Sequence, residues 1–466
     1  MANTEVPCSP EASGQRNLED FLGRDTAESL SSTQRLNRRL LEADQFLTAV
    51  ASCDTAPLRI AIVSLLFNWP STGGGIVHTA ELAEFLTREG HNVCNFFAAY
   101  EPWSVGNVNA ALPYNSCAIQ FDEMGWNRDN VEAAFRNALE DFHPDAVVVT
   151  DSWNSKGLLA KAVSKFPYFI RLAAMECICP LNNVRLLADR EYGIRQCRKS
   201  QLSTRPACVE CVRANTHLSG FLHNAERSLV DFGSEHFYSE LRAAFAEAEG
   251  ILVVNPLIGA LCEPYSKQVH VIPSGFDPQR FENLPEREFG SCGIRLLFAG
   301  VVEELMKGFH VLFEACCRLW QVRQDFELWV TAESTNFEAP FLRRKGWKNQ
   351  TELPLLMAEC DLVIVPTIAQ EALGRTAVEA MGAARPVIAS RLGGLPFTVV
   401  EGSTGLLFEP GDVAELESVI QRLMSSPEDC LKFGHAGRQR FLSEHTWEHV
   451  LATKYRPLFS GLRKRT

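Results

Sequence analysis

From Leu58 onward, short apolar runs of strand length alternate with stretches of helical period. Arg59–Phe67, Asn92–Ala99, Ala146–Asp151, Tyr168–Ala174 and Ile251–Asn255 form a first series. Between its first two members, Ile76–Arg88 carries apolar residues at helical spacing and is closed by Gly90. A second series consists of Ile294–Gly300, Glu327–Ala332, Leu362–Pro366 and Pro386–Ser390. The runs are apolar throughout rather than alternating, which predicts strands covered on both faces. Strands that alternate with helices predict parallel, doubly wound α/β sheets. The expected architecture is therefore two Rossmann-like domains, 57–285 and 290–446, facing a deep cleft. A charged patch, EREFGSCG, joins them. Residues 1–56 are polar and read as an appendage with one helix over Ser32–Val50. A last helix, Trp447–Leu462, opens a closing segment of residues 447–466 beyond the second core.

Length agrees with two domains, because 466 residues exceed what one hydrophobic core usually supports. The net charge of −12, with no long basic stretch, disfavours nucleic acid as the main partner. No run approaches the roughly twenty apolar residues of a membrane span. The N-terminus MANTEVPCSPEASGQ lacks the apolar core of a signal peptide, so a cytoplasmic location is expected. Most of the 15 cysteines sit singly in apolar segments, as Cys94, Cys292 and Cys316 do, and read as small buried hydrophobes.

Chemistry concentrates at residues 371–386, EALGRTAVEAMGAARP. The preceding run, Leu362–Pro366, is a buried strand, and the helix after it starts near Gly374 and ends at Pro386. Glu371 then lies in the loop beyond a strand's carboxyl end, and Glu379 about two turns into the helix. Open α/β sheets bind ligands at this place, and the free N–H groups of Arg375, Thr376 and Ala377 would face an anion. A phosphate at the helix start, with a carboxylate on either side to grip hydroxyls, suits a nucleotide-sugar.

The ordered run E-x7-E followed by A-M-G-A-x-R-P-V-I-A-S-R-x-G-G resembles the donor-site signature of retaining family-4 glycosyltransferases (glycosyl transferases group 1) of the GT-B fold. The resemblance covers roughly residues 57–460 and is strongest over 360–412. It implies that Glu371 holds the sugar hydroxyls and Glu379 the ribose. It also implies that the last helix crosses back onto the first domain. Gly73-Gly74, His78, Glu81-Leu82-Ala83 and Gly90-His91-Asn92-Val93 are similar to the family's GG-x-x-x-H and G-H-x-V pattern. That match places Gly73 and Gly74 against the donor phosphate and His78 on the acceptor side; the residues alone are equally those of a tight turn and a hydrogen-bonded histidine. Val271–Asp277 resembles a positional I-P-N-G-x-D segment near the interdomain boundary. Gly300–Gly308 stands where the family has G-R-x-x-x-x-K-G. Lys307 matches, but Val301 and Val302 occupy the place of the arginine. Arg375, just after Gly374, is the expected substitute for that charge.

Cys179, Cys197, Cys208 and Cys211 fall in one connection of the first domain, an insertion at about 175–215. Their arithmetic is that of a structural zinc or a disulfide cluster, and a reducing compartment favours zinc or free thiols. No D-x-D occurs in the chain. Such carboxylate pairs commonly hold the divalent ion of a nucleotide diphosphate, so the expected reaction needs no metal or cofactor. The reading is a retaining, hexosyltransferase-type enzyme moving sugar from a UDP- or GDP-sugar to a small-molecule, glycan or lipid acceptor. The alternatives are a nucleotide-sugar epimerase or phosphorylase of the same fold, or a catalytically silent nucleotide-sugar-binding subunit.

Overall fold

A computed structural model describes residues 56–71, 73–189, 193–291 and 293–463. The helix expected over Ser32–Val50, Cys292 and the basic tail from Lys464 lie outside the described residues. The first series opens with β1 (Arg59–Ser64), α1 (Gly74–Arg88), β2 (Asn92–Ala99) and β3 (Asn115–Gln120). It continues with β4 (Ala146–Val149) and β5 (Tyr168–Leu172). An insertion follows, made of a hairpin, β6 (Leu186–Asp189) and β7 (Gly193–Gln196), and two helices, α2 (Arg205–Ala214) and α3 (Phe221–Leu229). The sheet resumes with β8 (Gly250–Val253), α4 (Pro256–Cys262) and β9 (Val269–Val271). Its seven strands are parallel in the order β3-β2-β1-β4-β5-β8-β9.

The second series is β10 (Ile294–Phe298), β11 (Phe326–Val330), β12 (Leu342–Arg344), β13 (Leu362–Val365), α5 (Arg375–Gly382), β14 (Val387–Ser390) and β15 (Gly405–Phe408). These six strands are parallel in the order β12-β11-β10-β13-β14-β15. Central strands such as β4 are buried along their whole length, as their unbroken apolar runs require. Strand order reverses between β1 and β4 in one sheet and between β10 and β13 in the other. Loops leaving the carboxyl ends of these strands diverge there and open a crevice.

Several strands are shorter than the apolar runs suggest. The run Arg59–Phe67 stops pairing at Ser64 because the N–H groups of Leu65 and Leu66 both turn to the Asp151 carbonyl, at 3.1 and 2.8 Å. β3, β9, β12 and β15 have no counterpart among the expected strands. They are edge strands, and β3, with its sequence NSCAIQ, is largely solvated. An edge needs no continuous apolar run.

The closing segment consists of α6 (Trp447–Val450), a π-helical turn over Leu451–Tyr455 and α7 (Arg456–Arg463). Trp447, Tyr455 and Phe459 pack in one cluster with Ile60 and Phe169 of the first sheet and Phe85 of α1. The chain after the second sheet thus returns to the first. Phe276 bridges to this segment, its N–H donating to the His445 carbonyl at 2.8 Å. A side chain at Gly275 would overlap the Trp447 indole, so glycine there lets the segment close.

Candidate active site

A cavity of about 450 Å³ lies between the domains at the two crevices. Gly73–Gly75, Ala173, Ala174 and Ser274 line it from the first domain, and Lys307, Thr331, residues 370–376 and Glu379 from the second. Its floor on the second side is the connection from β13 to α5. The Glu371 backbone there is fixed by local bonds: its N–H donates to the Ala369 carbonyl at 2.8 Å, and its carbonyl accepts from the Gly394 N–H at 2.7 Å. Gly393 has φ 59°, and a Cβ there would run into the Glu371 backbone. The Gly393-Gly394 pair is therefore a packing requirement of the loop.

Lys307 ends a short 3-10 turn, Leu305–Lys307. Thr367 Oγ1 and the Ile368 N–H both donate to the Met306 carbonyl, at 2.8 and 2.9 Å, tying this turn to the Glu371 loop. The result is a Lys307 Nζ–Glu371 Oε2 distance of 3.4 Å, with both side chains partly exposed to the cavity. The Glu371 carboxylate, aided by Glu304, holds the Lys307 ammonium above its ordinary pKa. Lys307 is thus a fixed cation.

Gly374 caps α5 with φ 76°, and a Cβ there would strike Leu395, so the helix start is a glycine position on both counts. The helix begins at Arg375, which puts Glu379 at its fifth position, just over one turn in rather than two. Ala377 is not free for an anion, because its N–H bonds the Gly374 carbonyl at 2.9 Å. The Arg375 and Thr376 amides head the helix, and Thr376 Oγ1 donates to the Ala299 carbonyl at 3.4 Å. The Arg375 guanidinium stacks 4.2 Å above the Phe276 ring. Its Nη2 lies 3.5 Å from Glu81 Oε2, while Nη1 is buried without a partner. A Cβ at Gly74 would meet Arg375 Cδ at 2.9 Å, so the glycine loop and Arg375 touch across the cavity. Glu379 is buried, and desolvation raises its pKa against the opposing pull of Arg375.

Glu371, Lys307, Gly73, Gly74, Gly374, Arg375, Thr376 and Glu379 therefore meet on one cavity. His78 is not among its lining residues. It is buried under Trp447, ring centroids 5.0 Å apart, with Nε2 3.4 Å from the Tyr455 hydroxyl. Burial, then Arg171 and Arg375, press its pKa well below the ordinary value and keep it neutral.

The cysteines of the insertion gather loosely. Cys179, Cys197 and Cys208 surround the buried Arg185 guanidinium, and burial raises the Cys208 thiol to about 11. Among the described residues no group of three or more His, Cys, Asp or Glu is arranged to hold a metal ion. The four cysteines expected from the spacing as zinc ligands are therefore not gathered into such a group, and Arg185 lies among three of them.

Sequence reasoning passed over Glu81, Arg280, Trp447 and Asn255 as participants. Arg280 Nη1 and Trp447 Nε1 approach the Glu81 carboxylate at 2.5 and 3.2 Å, beside Arg375. Their only signal was Glu81 inside a matched pattern, because the contacts join residues hundreds of positions apart.

Residues 293–426 match the family model described as glycosyl transferases group 1. That stretch carries β10–β15 and the side chains of Lys307, Glu371, Arg375 and Glu379. A curated relative, the MMP alpha-(1->4)-mannosyltransferase of Mycolicibacterium hassiacum, is 31% identical over 198 residues, 40% of this chain and 47% of its own length. The chain spans about half the length of the curated relatives it matches. Among solved structures, the sucrose-phosphate synthase of Thermosynechococcus elongatus superposes with a TM-score of 0.61 at 19% identity, covering 88% of this chain and 100% of that one. Anabaena HepE in complex with UDP and glucose gives 0.56 at 15% identity, covering 86% and 98%. The shared fold is GT-B, two Rossmann-like domains facing a cleft. No helix among the described residues is long and apolar enough to cross a membrane.

Proposed function

We propose that this chain is a retaining glycosyltransferase that takes a sugar from a nucleoside-diphosphate donor in the interdomain cleft. The observation that carries the reading is the Lys307–Glu371 pair on the same cavity as the α5 start, Arg375 and Glu379. The diphosphate would lie between Lys307 Nζ, the Arg375 guanidinium and the first amides of α5, where fixed donors meet developing negative charge. Glu371 would orient the sugar hydroxyls, and the buried Glu379 the ribose. The similarity to HepE, solved with UDP and glucose, supports a donor of this class.

In the displacement, the bond from the anomeric carbon to the phosphate oxygen breaks on the face where the acceptor oxygen bonds. The acceptor proton passes to the departing phosphate oxygen. No protein nucleophile is required, and Lys307 with Arg375 takes the role that a metal held by D-x-D would have. Closure of the domains excludes water that would hydrolyse the donor.

The test is a thermal-shift screen with UDP-, GDP- and ADP-sugars, followed by transfer to small-molecule, glycan and lipid acceptors. A donor at a hundred times its Kd should stabilise the fold by about 2.7 kcal/mol. No shift with any nucleotide-sugar at millimolar concentration would contradict the reading.

A further inference from the structure

The loop that carries Glu371 is held from the other side of the cleft. Asn255 is 2% exposed and caps α4, its Oδ1 accepting the Ile258 N–H at 3.0 Å. Since the oxygen is committed to the cap, the Nδ2 group has one direction left, and it donates to the Ala372 carbonyl at 2.6 Å. Asn255 belongs to the first domain and Ala372 directly follows Glu371 in the second. A side chain at Gly394 would collide with the Ala372 carbonyl and meet Asn255 Nδ2 at 3.0 Å. The approach is therefore built into both partners. A second amide grips the same loop: Gln196, at the end of β7, donates through Nε2 to the Ile368 carbonyl.

We infer that Asn255 is a positioning residue, which fixes the Glu371 loop across the cleft and so couples domain closure to the placement of the Glu371 carboxylate. The inference rests on the reading of Glu371 given above. Two features follow from the geometry. The carboxamide acts as a rigid spacer, because one end is locked to a helix N-terminus and only the other crosses the cleft. Opening the domains breaks this bond and frees a carbonyl next to Glu371, so the cross-cleft tie acts on the loop only in the closed arrangement.

Asn255→Asp separates the two ends of the side chain. Aspartate caps a helix as well as asparagine does, but it offers no donor to Ala372 and sets two acceptors face to face. Asn255→Ser also caps, and is too short to span the gap. In the full chain, Asn255→Ser should unfold within about 2 °C of wild type, since the cap is kept, whereas Asn255→Asp should unfold earlier, because it sets a buried carboxylate against a carbonyl. Amide hydrogen exchange over residues 369–374 should rise at least about tenfold, reporting local release of the loop. In transfer assays kcat should fall at least about tenfold while donor affinity stays within about threefold, the split of a group acting on orientation.

Unchanged exchange over this loop in both variants, or turnover within twofold of wild type, overturns the inference. Exchange decides the tie without reference to activity. A wild-type chain that transfers no sugar would therefore sink the functional reading, while the exchange experiment still settles whether Asn255 holds the loop.

Discussion

The Glu81 carboxylate of the first domain lies 3.5 Å from the Arg375 guanidinium of the second. Glu81 is 2% exposed and already accepts from Arg280 at 2.5 Å and Trp447 at 3.2 Å. Arg375 is thus the loosest of its three partners. The carboxylate steers the guanidinium toward the glycine loop without neutralising it, and Arg375 Nη1 is left unpartnered. The partly free guanidinium is the reason Arg375 is proposed as the substitute for the arginine that Val301 and Val302 replace.

Arg375→Lys should lower kcat by about a hundredfold, the scale for losing one fixed donor at a developing charge. Arg385→Lys is the control: its guanidinium donates to the Ala358 carbonyl at 2.9 Å and is absent from the cavity lining. Steady-state kinetics on both variants decides, and equal losses would refute the role given to Arg375.

Glu81→Ala should cost about 2 kcal/mol of stability, between the values for exposed and fully buried pairs, because it takes a buried carboxylate from two partly buried guanidinium groups. Urea unfolding measures this directly. A loss below about 1 kcal/mol, the range of exposed pairs, would show that the network is solvated.

Glu371→Ala should largely abolish transfer and leave stability within about 1 kcal/mol of wild type. Its ion pair with Lys307 is partly exposed, and such pairs contribute little to folding. Activity within threefold of wild type would remove Glu371 from the mechanism.

Glu226, which does not line the cavity, supplies a pH test. Burial lifts its pKa from 4.5 to about 7, even though the Asn154 and Trp153 N–H groups donate to it. A folded-state pKa above the unfolded one means that the folded chain binds the extra proton between those values. Stability contributed by this group is then full below about 4.5 and is lost as pH rises through about 7. Glu226→Gln should flatten the fall in melting temperature between pH 5 and 8. Parallel wild-type and variant curves would show that Glu226 is ionised throughout.

How much was legible in advance differs between fold and site. Unbroken apolar runs give the central strands, because a strand covered on both faces tolerates no polar residue. Edge strands such as β3 escaped, since one solvated face dilutes the pattern. The run from Glu371 to Pro386 could be singled out because the candidate binding residues and the turn that presents them are contiguous. Cysteine spacing is silent on side-chain placement: distance along the chain allows a metal, whereas the fold puts Arg185 near three of the thiols.

The sequence by itself determined two parallel α/β series, the glycine turns after their strands, and a carboxylate loop running into a helix start, all consequences of short-range sterics and hydrophobic period. The tertiary structure alone decided that His78 is packed under Trp447, that Glu81 faces Arg375 and that Asn255 reaches the Ala372 carbonyl. These pairs lie 117 or more positions apart. Their meeting depends on how two cores dock and on the chain crossing back between them, which no local pattern encodes.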